Sequence, residues 1–161
     1  MDARSIGLVR TMRDIKVGQL ILFTYKDGVE PGIVVEPFTN ARAILHISAV
    51  TGDKFIPRLY EMEHSYNEAV ILIENARIVP VFSLEHTGIG RYHDAPVSRA
   101  LYVNEDGVYL TALFNQTVYT FNLFDGKRAQ VYTDKAVYTK FWYIEVPDSA
   151  GDFERYLEFE A

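Results

Sequence analysis

Three Asp-Gly pairs, at 27–28, 106–107 and 125–126, each lie between two runs rich in β-branched and aromatic residues. Glycine supplies the positive φ that tight hairpin turns need, and aspartate tolerates the neighbouring left-handed position. Each pair therefore marks an antiparallel hairpin, and a chain punctuated in this way is committed mainly to antiparallel sheet. Residues 17–25 (VGQLILFTY) form the first such run, and 33–36 and 43–50 follow, separated by Pro37-Phe38-Thr39-Asn40. In the second half the apolar residues recur with period two. Tyr119, Phe121 and Leu123 share one face of 117–123, and Tyr138, Trp142, Ile144 and Val146 share one face of 136–146. The opposite faces are apolar too, which places these strands between layers or inside a barrel.

Two helices are expected besides the strands. Leu59, Met62, Tyr66, Ala69, Ile73 and Ala76 recur at spacings of three and four behind Pro57, the signature of one helical face. The run Val70-Ile71-Leu72-Ile73 prefers strand, which would end that helix near Glu68. Ser149 or Asp152 can cap a short helix running to about Glu158. The first dozen residues are ambiguous between helix and strand. Residues 85–97 (EHTGIGRYHDAPV) read as a long loop. The expected fold is all-β and mainly antiparallel: an SH3-like small barrel unit over 14–84 and an aromatic-rich β-meander over 98–146, joined by that loop. At 161 residues the two make one compact domain.

Residues 16–36 (KVGQLILFTYKDGVEPGIVVE) resemble the small SH3-like barrels, in which a strand after a glycine leads through a turn to a Pro-Gly-aliphatic strand. Over 17–50 the chain is also similar to the PemK and MazF ribonuclease toxins. In that family an arginine before the proline and a later Ser or Thr carry RNA cleavage. Here Glu30, of opposite charge, precedes Pro31, and only Ser48 or Thr51 can stand for the hydroxyl. The resemblance therefore implies shared barrel architecture and not the cleavage chemistry.

The chain lacks cysteine, which excludes disulfide scaffolds, thiolate metal centres and thiol nucleophiles. No apolar run reaches the length of a membrane span and no apolar block follows Met1, so an intracellular, cytoplasmic protein is expected. The net charge of −6 argues against duplex nucleic acid as the main partner. That charge is segregated. Residues 1–16 carry a net of +2 and residues 144–161 a net of −5. The acidic end reads either as a solvated terminus or as a docking element for a basic partner surface.

Candidate sites were weighed by their chemistry. His86, Arg91, Tyr92, His93 and Asp94 gather in the glycine-containing loop, but a His-x6-His spacing fits no metal-ligand pattern. A binding role suits the loop better, with His93 oriented by Asp94 as the pair a hydrolase or nuclease would use. Glu61, Glu63, His64 and Glu68 read as a polar helix face, since no second histidine completes a zinc pattern. No cofactor signature is present: 88–93 lacks the third glycine of a dinucleotide loop, and Gly126-Lys127-Arg128 lacks a phosphate-loop context. Eleven tyrosines exceed what one small core hides, because each hydroxyl needs a partner. The expectation is a non-enzymatic module that contacts another protein, or its own copy, through Arg91, Tyr92, His93, Tyr109, Tyr119, Tyr132 and Trp142. A small-ligand or single-strand binder using the same residues, with bases or sugars stacked on Tyr102 and Tyr138 as well, is the alternative. Such a chain would suit an accessory or inhibitor protein of a phage or mobile element.

Overall fold

The computed structural model describes residues 7–48, 50–51, 54–55, 57–62, 67–90, 97, 99–130 and 135–160. The first half forms β1 (Leu8–Thr11), a single 3-10 turn (Met12–Asp14), β2 (Leu20–Tyr25), β3 (Gly28–Val35) and β4 (Ala43–His46). The short pair β5 (Val50–Thr51) and β6 (Lys54–Phe55) follows, then β7 (Arg58–Glu61), β8 (Ala69–Ile73) and β9 (Arg77–Pro80). The second half adds β10 (Thr87–Ile89), β11 (Leu101–Asn104), β12 (Gly107–Phe114), β13 (Thr117–Asn122), β14 (Val137–Thr139), β15 (Phe141–Pro147) and β16 (Phe153–Glu160). The fold is all-β and mostly antiparallel.

Eleven strands make one mixed sheet in the order β1-β8-β2-β3-β4-β7-β12-β11-β14-β10, with β13 branching from β12. A second sheet has the order β16-β15-β9. The chain passes between them at Lys140, directly after β14, where the Thr139 hydroxyl donates to the Val81 carbonyl. The expected barrel does not close among the described residues. β7 pairs in parallel with β12 at Arg58 and Leu113, and Leu113 N–H donates to the Pro57 carbonyl at 2.8 Å. The N-terminal strands thus continue into the C-terminal ones. The expected meander is also interrupted, because β14 returns to β11 and β15 leaves for the second sheet.

Both expected helices are corrected. Leu59 pairs with Leu45 and Tyr60 with Ile44 across β4 and β7, while Ile71 and Leu72 pair with both β1 and β2. Residues at helical spacing were drawn into strands because cross-strand burial outweighs a weak helical preference. At the C-terminus, Asp148 Oδ1 accepts N–H bonds from Ala150 and Asp152, so the expected caps Ser149 and Asp152 lie in a hairpin turn closed by Asp148, and 153–160 is strand. The Asp-Gly pairs mark turns as expected, and Gly126 takes the expected positive φ (70°), but the glycines of the first two pairs act differently. The left-handed residue of the first hairpin is Lys26 (φ 51°), and Gly28 and Gly107 begin the following strands. A Cβ on Gly107 would lie 2.7 Å from Asn122 Nδ2, so a larger residue there would displace that side chain.

The larger core lies between the two sheets. It joins Leu20, Ile33, Leu45 and Ile73 of the first half to Leu101, Leu110, Phe121, Trp142, Ile144 and Phe159 of the second. Trp142 is fully buried, stacks on Phe159 at 4.1 Å between ring centroids, and donates its indole N–H to the Arg99 carbonyl at 2.9 Å. The intervening residues of the same strands (Ile21, Phe23, Val34, Ile44, Val70 and Leu72) face the other way into a second core, covered by Met12 and Ile15. The acidic C-terminal strand is therefore packed rather than a solvated tail. Phe159→Ala is expected to cost about 3–5 kcal/mol, the usual penalty for truncating a buried aromatic, in urea unfolding followed by circular dichroism. A cost near zero would show that β16 is not docked.

Candidate functional site

The described residue that best answers the expectation of an aromatic contact surface is Tyr119. Its strand, β13, is held to β12 by a two-residue turn in which Asn115 (φ 46°) and Gln116 (φ 63°) take the left-handed positions of a hairpin. Beyond β13, Gly126 (φ 70°) turns the chain back along it. A Cβ on Gly126 would meet Gly18 N at 2.6 Å and Val34 O at 2.8 Å, so the backbone is pressed against its neighbours. Glu36 N–H donates to the Gly126 carbonyl, Arg128 N–H to the Glu36 carbonyl, and Ala129 N–H to the Thr120 carbonyl. These bonds lay 127–129 between the end of β3 and β13. The Arg128 guanidinium consequently sits over the Tyr119 ring at 4.6 Å and near Phe38 at 5.8 Å. Phe38 meets Tyr119 edge-on at 5.9 Å, and Phe114 lies 6.3 Å away on the other side. Phe38 is 51% exposed and Val118 56%, and with Lys127 they border an open depression of about 1110 Å³.

A second polar grouping closes the far end of the smaller core. His46 stands opposite Gly32 on one side and Arg58 on the other, in paired strands that fix all three on one face. Its ring is buried among Phe23, Tyr25 and Tyr60, at centroid distances of 5.2, 4.7 and 5.6 Å. The Ser48 hydroxyl donates to Glu30 Oε2 at 2.7 Å and lies 3.2 Å from His46 Nε2. A serine has one proton, so the imidazole must donate its Nε2–H to the hydroxyl oxygen. Nδ1 is then left as a buried acceptor with no partner among the described residues. Burial pushes the His46 pKa below its ordinary value of 6.5, and the nearby Glu30 carboxylate only partly restores it. Burial, together with the Tyr25 hydroxyl, pushes the Tyr60 phenol up to about 12, with Arg58 pulling the other way.

This arrangement is not a nucleophile relay. In such a relay the imidazole accepts the hydroxyl proton and the carboxylate binds its far nitrogen. Here the carboxylate takes the hydroxyl proton and the far nitrogen is idle. Glu30 and Ser48, the positions that match the ribonuclease pattern, do meet, but a carboxylate cannot hold a phosphate. The group serves as a polar seam between strands.

The other expected site residues are placed as follows. Trp142 and Tyr109 are buried in the cores, which corrects their assignment to a contact surface. Tyr102 is also buried, its hydroxyl accepting the Val97 N–H, and Tyr138 packs on it at 5.5 Å. Arg91, Tyr92, His93, Asp94 and Tyr132 lie outside the described residues, as do Glu63 and His64. The expected loop 85–97 contains a strand, since β10 pairs with β14 at Thr87–Ile89. His86 packs on Phe141 at 5.6 Å, and Glu61 and Glu68 are exposed. Among the described residues no group of three or more His, Asp or Glu is placed to hold a metal. Phe38 and Arg128 carry no joint signal in the sequence because 90 residues separate them. The one local signal is the Gly126-Lys127-Arg128 turn, which on sequence alone resembles an incomplete phosphate loop.

The titration of His46 gives a sign that can be checked. Its folded pKa lies below the unfolded value, so the unfolded chain binds the extra proton more readily. The stability due to neutral His46 is full above pH 6.5 and is lost as the pH falls below it. A single such group contributes a slope of at most about 1.4 kcal/mol per pH unit. Urea midpoints should fall across this window in the wild type and flatten in His46→Phe. Equal slopes would remove His46 as the cause.

No family profile, curated protein or solved structure matches this chain.

Proposed function

We propose that the protein is a non-enzymatic module that binds another protein through the face built on Phe38, Tyr119 and Arg128. The observation that carries this reading is the exposed stack itself: a cation and two aromatic rings fixed in place by backbone hydrogen bonds from 126–129. Protein interfaces concentrate their binding energy in Tyr, Trp and Arg anchors surrounded by apolar contacts. A guanidinium already seated on a ring loses less conformational freedom on binding than a free one, so more of its interaction energy appears as affinity. Phe38 and Val118 supply the apolar area around it, and Lys127 and Arg128 outnumber the half-buried Glu36 on its lining, so the patch is slightly basic within an acidic chain. The surface therefore suits a partner that presents apolar side chains beside carboxylates. A second copy of this chain is one such partner, since it carries 22 acidic residues.

The test is native mass spectrometry of the tagged wild type, recovered from its source cells, beside Phe38→Ala and Arg128→Glu. Both substitutions are at exposed positions and should leave unfolding unchanged. The wild type is expected to carry a defined extra polypeptide or a second copy, and each variant to weaken that association about 10-fold or more, the effect of losing one anchor. Retention by both variants equal to the wild type would overturn the assignment of this face. A wild type that carries no polypeptide at any concentration would overturn the binding reading.

A further inference from the structure

The three-stranded sheet ends in β16, eight residues long, whose outer side pairs with no strand among the described residues. The ladder shows which backbone groups face outward. Val81 N–H donates to the Phe141 carbonyl, so Phe141 turns its hydrogen-bonding groups toward β9. Alternation then turns those of Trp142 and Ile144 toward β16, where they meet Phe159 and Leu157. Glu158 and Glu160 consequently present their N–H and C=O groups outward. Their side chains lie on the outer face with Tyr143 and Phe141, away from the core. β16 contains no proline or glycine, but its pairing with β15 is bulged at Tyr156, the extra residue between Leu157 opposite Ile144 and Arg155 opposite Glu145, so the regular free edge runs over 157–160. By contrast β9, at the opposite edge, ends in Pro80, and the terminal strands of the large sheet span only four and three residues.

We propose that the outer edge of β16 takes an extended, lysine- or arginine-rich segment of a partner protein as an added antiparallel strand. Main-chain hydrogen bonds give such pairing its affinity, and side chains along the edge give its selectivity. The selectivity here is for cations, because 144–161 carries a net of −5 and Glu158 and Glu160 flank the free backbone groups. Glu158 already meets Arg155 at 3.0 Å, but both side chains are 54% exposed. That pair alone is worth little, but the Arg155 guanidinium also sits 4.2 Å over the Tyr143 ring, so a partner cation competes with it at Glu158 and meets no such rival among the described residues at the exposed Glu160. A second copy is the competing occupant of this edge. Within the regular stretch 157–160, pairing two β16 strands about a dyad at Glu158 or Phe159 sets Glu158 against Glu158 or Glu160 of the other copy, whereas a register that crosses the bulge sets Glu158 against Arg155.

This inference rests on the reading of the chain as a protein-binding module but uses a different surface, so the two fail separately. Trp142 supplies the readout, since the only tryptophan stacks on Phe159 of β16. The probe is a synthetic peptide matched in length to β16, alternating lysine with valine or threonine. It should shift Trp142 fluorescence saturably, and Glu158→Lys/Glu160→Lys should weaken it 10-fold or more while leaving unfolding unchanged. The same peptide N-methylated on the amides of one edge should also bind at least 10-fold more weakly. Equal binding of the methylated peptide would reduce the effect to diffuse charge attraction and overturn strand addition. Equal binding of an alternating glutamate peptide would overturn the cationic preference. Concentration-dependent dimers abolished by the double substitution would show the edge to be a self-interface and overturn the proposal.

Discussion

Strands β2, β3, β4 and β8 bury side chains on both faces, and every other part of the architecture answers to that. Alternating positions such as Leu20 and Ile21, or Ile33 and Val34, are all buried. A sheet apolar on both sides needs a cover on each. One cover is the three-stranded sheet, which brings Trp142, Ile144 and Phe159 down onto the larger core. The other is the N-terminal segment, where the 3-10 turn places Met12 and Ile15 over the smaller core. At roughly 2–3 kcal/mol for each large apolar side chain removed from water, these layers dominate the favourable side of folding. Neither half of the chain could keep its sheet face dry alone, because the larger core draws on both.

The polar seam follows from where the second cover ends. Met12 and Ile15 shield the middle of that face, while its far end is closed by Tyr25, Tyr60 and the buried His46 ring. A histidine there is an aromatic filler whose one donor is satisfied by Ser48, at the cost of a pKa that disfavours charge. The same constraint of fixed register places Arg128 on Tyr119. Segment 127–129 bridges the end of β3 to β13, so its side chains inherit positions from strands on both sides. A surface built this way is as rigid as the sheet beneath it.

Period two was legible wherever one face of a strand is exposed. In β13, Val118 is exposed while Phe121 is buried, and in β15 Trp142 and Ile144 point inward as their spacing implies. The hairpins were legible too, through turn residues. The helices misled because Leu59, Met62 and Ala69 happen to sit three and seven apart, while their true partners, Leu45 and residues of β1, lie far along the chain. Register is set by such distant pairing and leaves no local trace. For the same reason Glu30, His46, Ser48 and Arg58 could not be seen as a group, nor Phe38 beside Arg128. The buried Trp142 and Tyr109 misled in another way: an aromatic excess says that contact surfaces exist, and tertiary packing alone decides which rings form them.

The acids of β16 carry a further consequence. A long free edge strand is an aggregation hazard unless something spoils its pairing, and charge is among the commonest devices. Glu158 and Glu160 do this against an identical edge paired over 157–160, where symmetric registers about Glu158 or Phe159 set acid against acid, and the bulge at Tyr156 disrupts the rest of the edge. A device that repels copies by charge does not repel an edge of opposite charge. Protection from self-association and selectivity for a cationic strand are thus the same physical property read against two partners. The basic patch at Lys127 and Arg128 works by the converse rule. It holds two cations beside the half-buried Glu36 on a chain of net charge −6, and on the proposed reading an acidic partner would gain there what the rest of the surface withholds. On the proposed reading, two surfaces of opposite sign, each fixed to a sheet, would select partners of opposite charge.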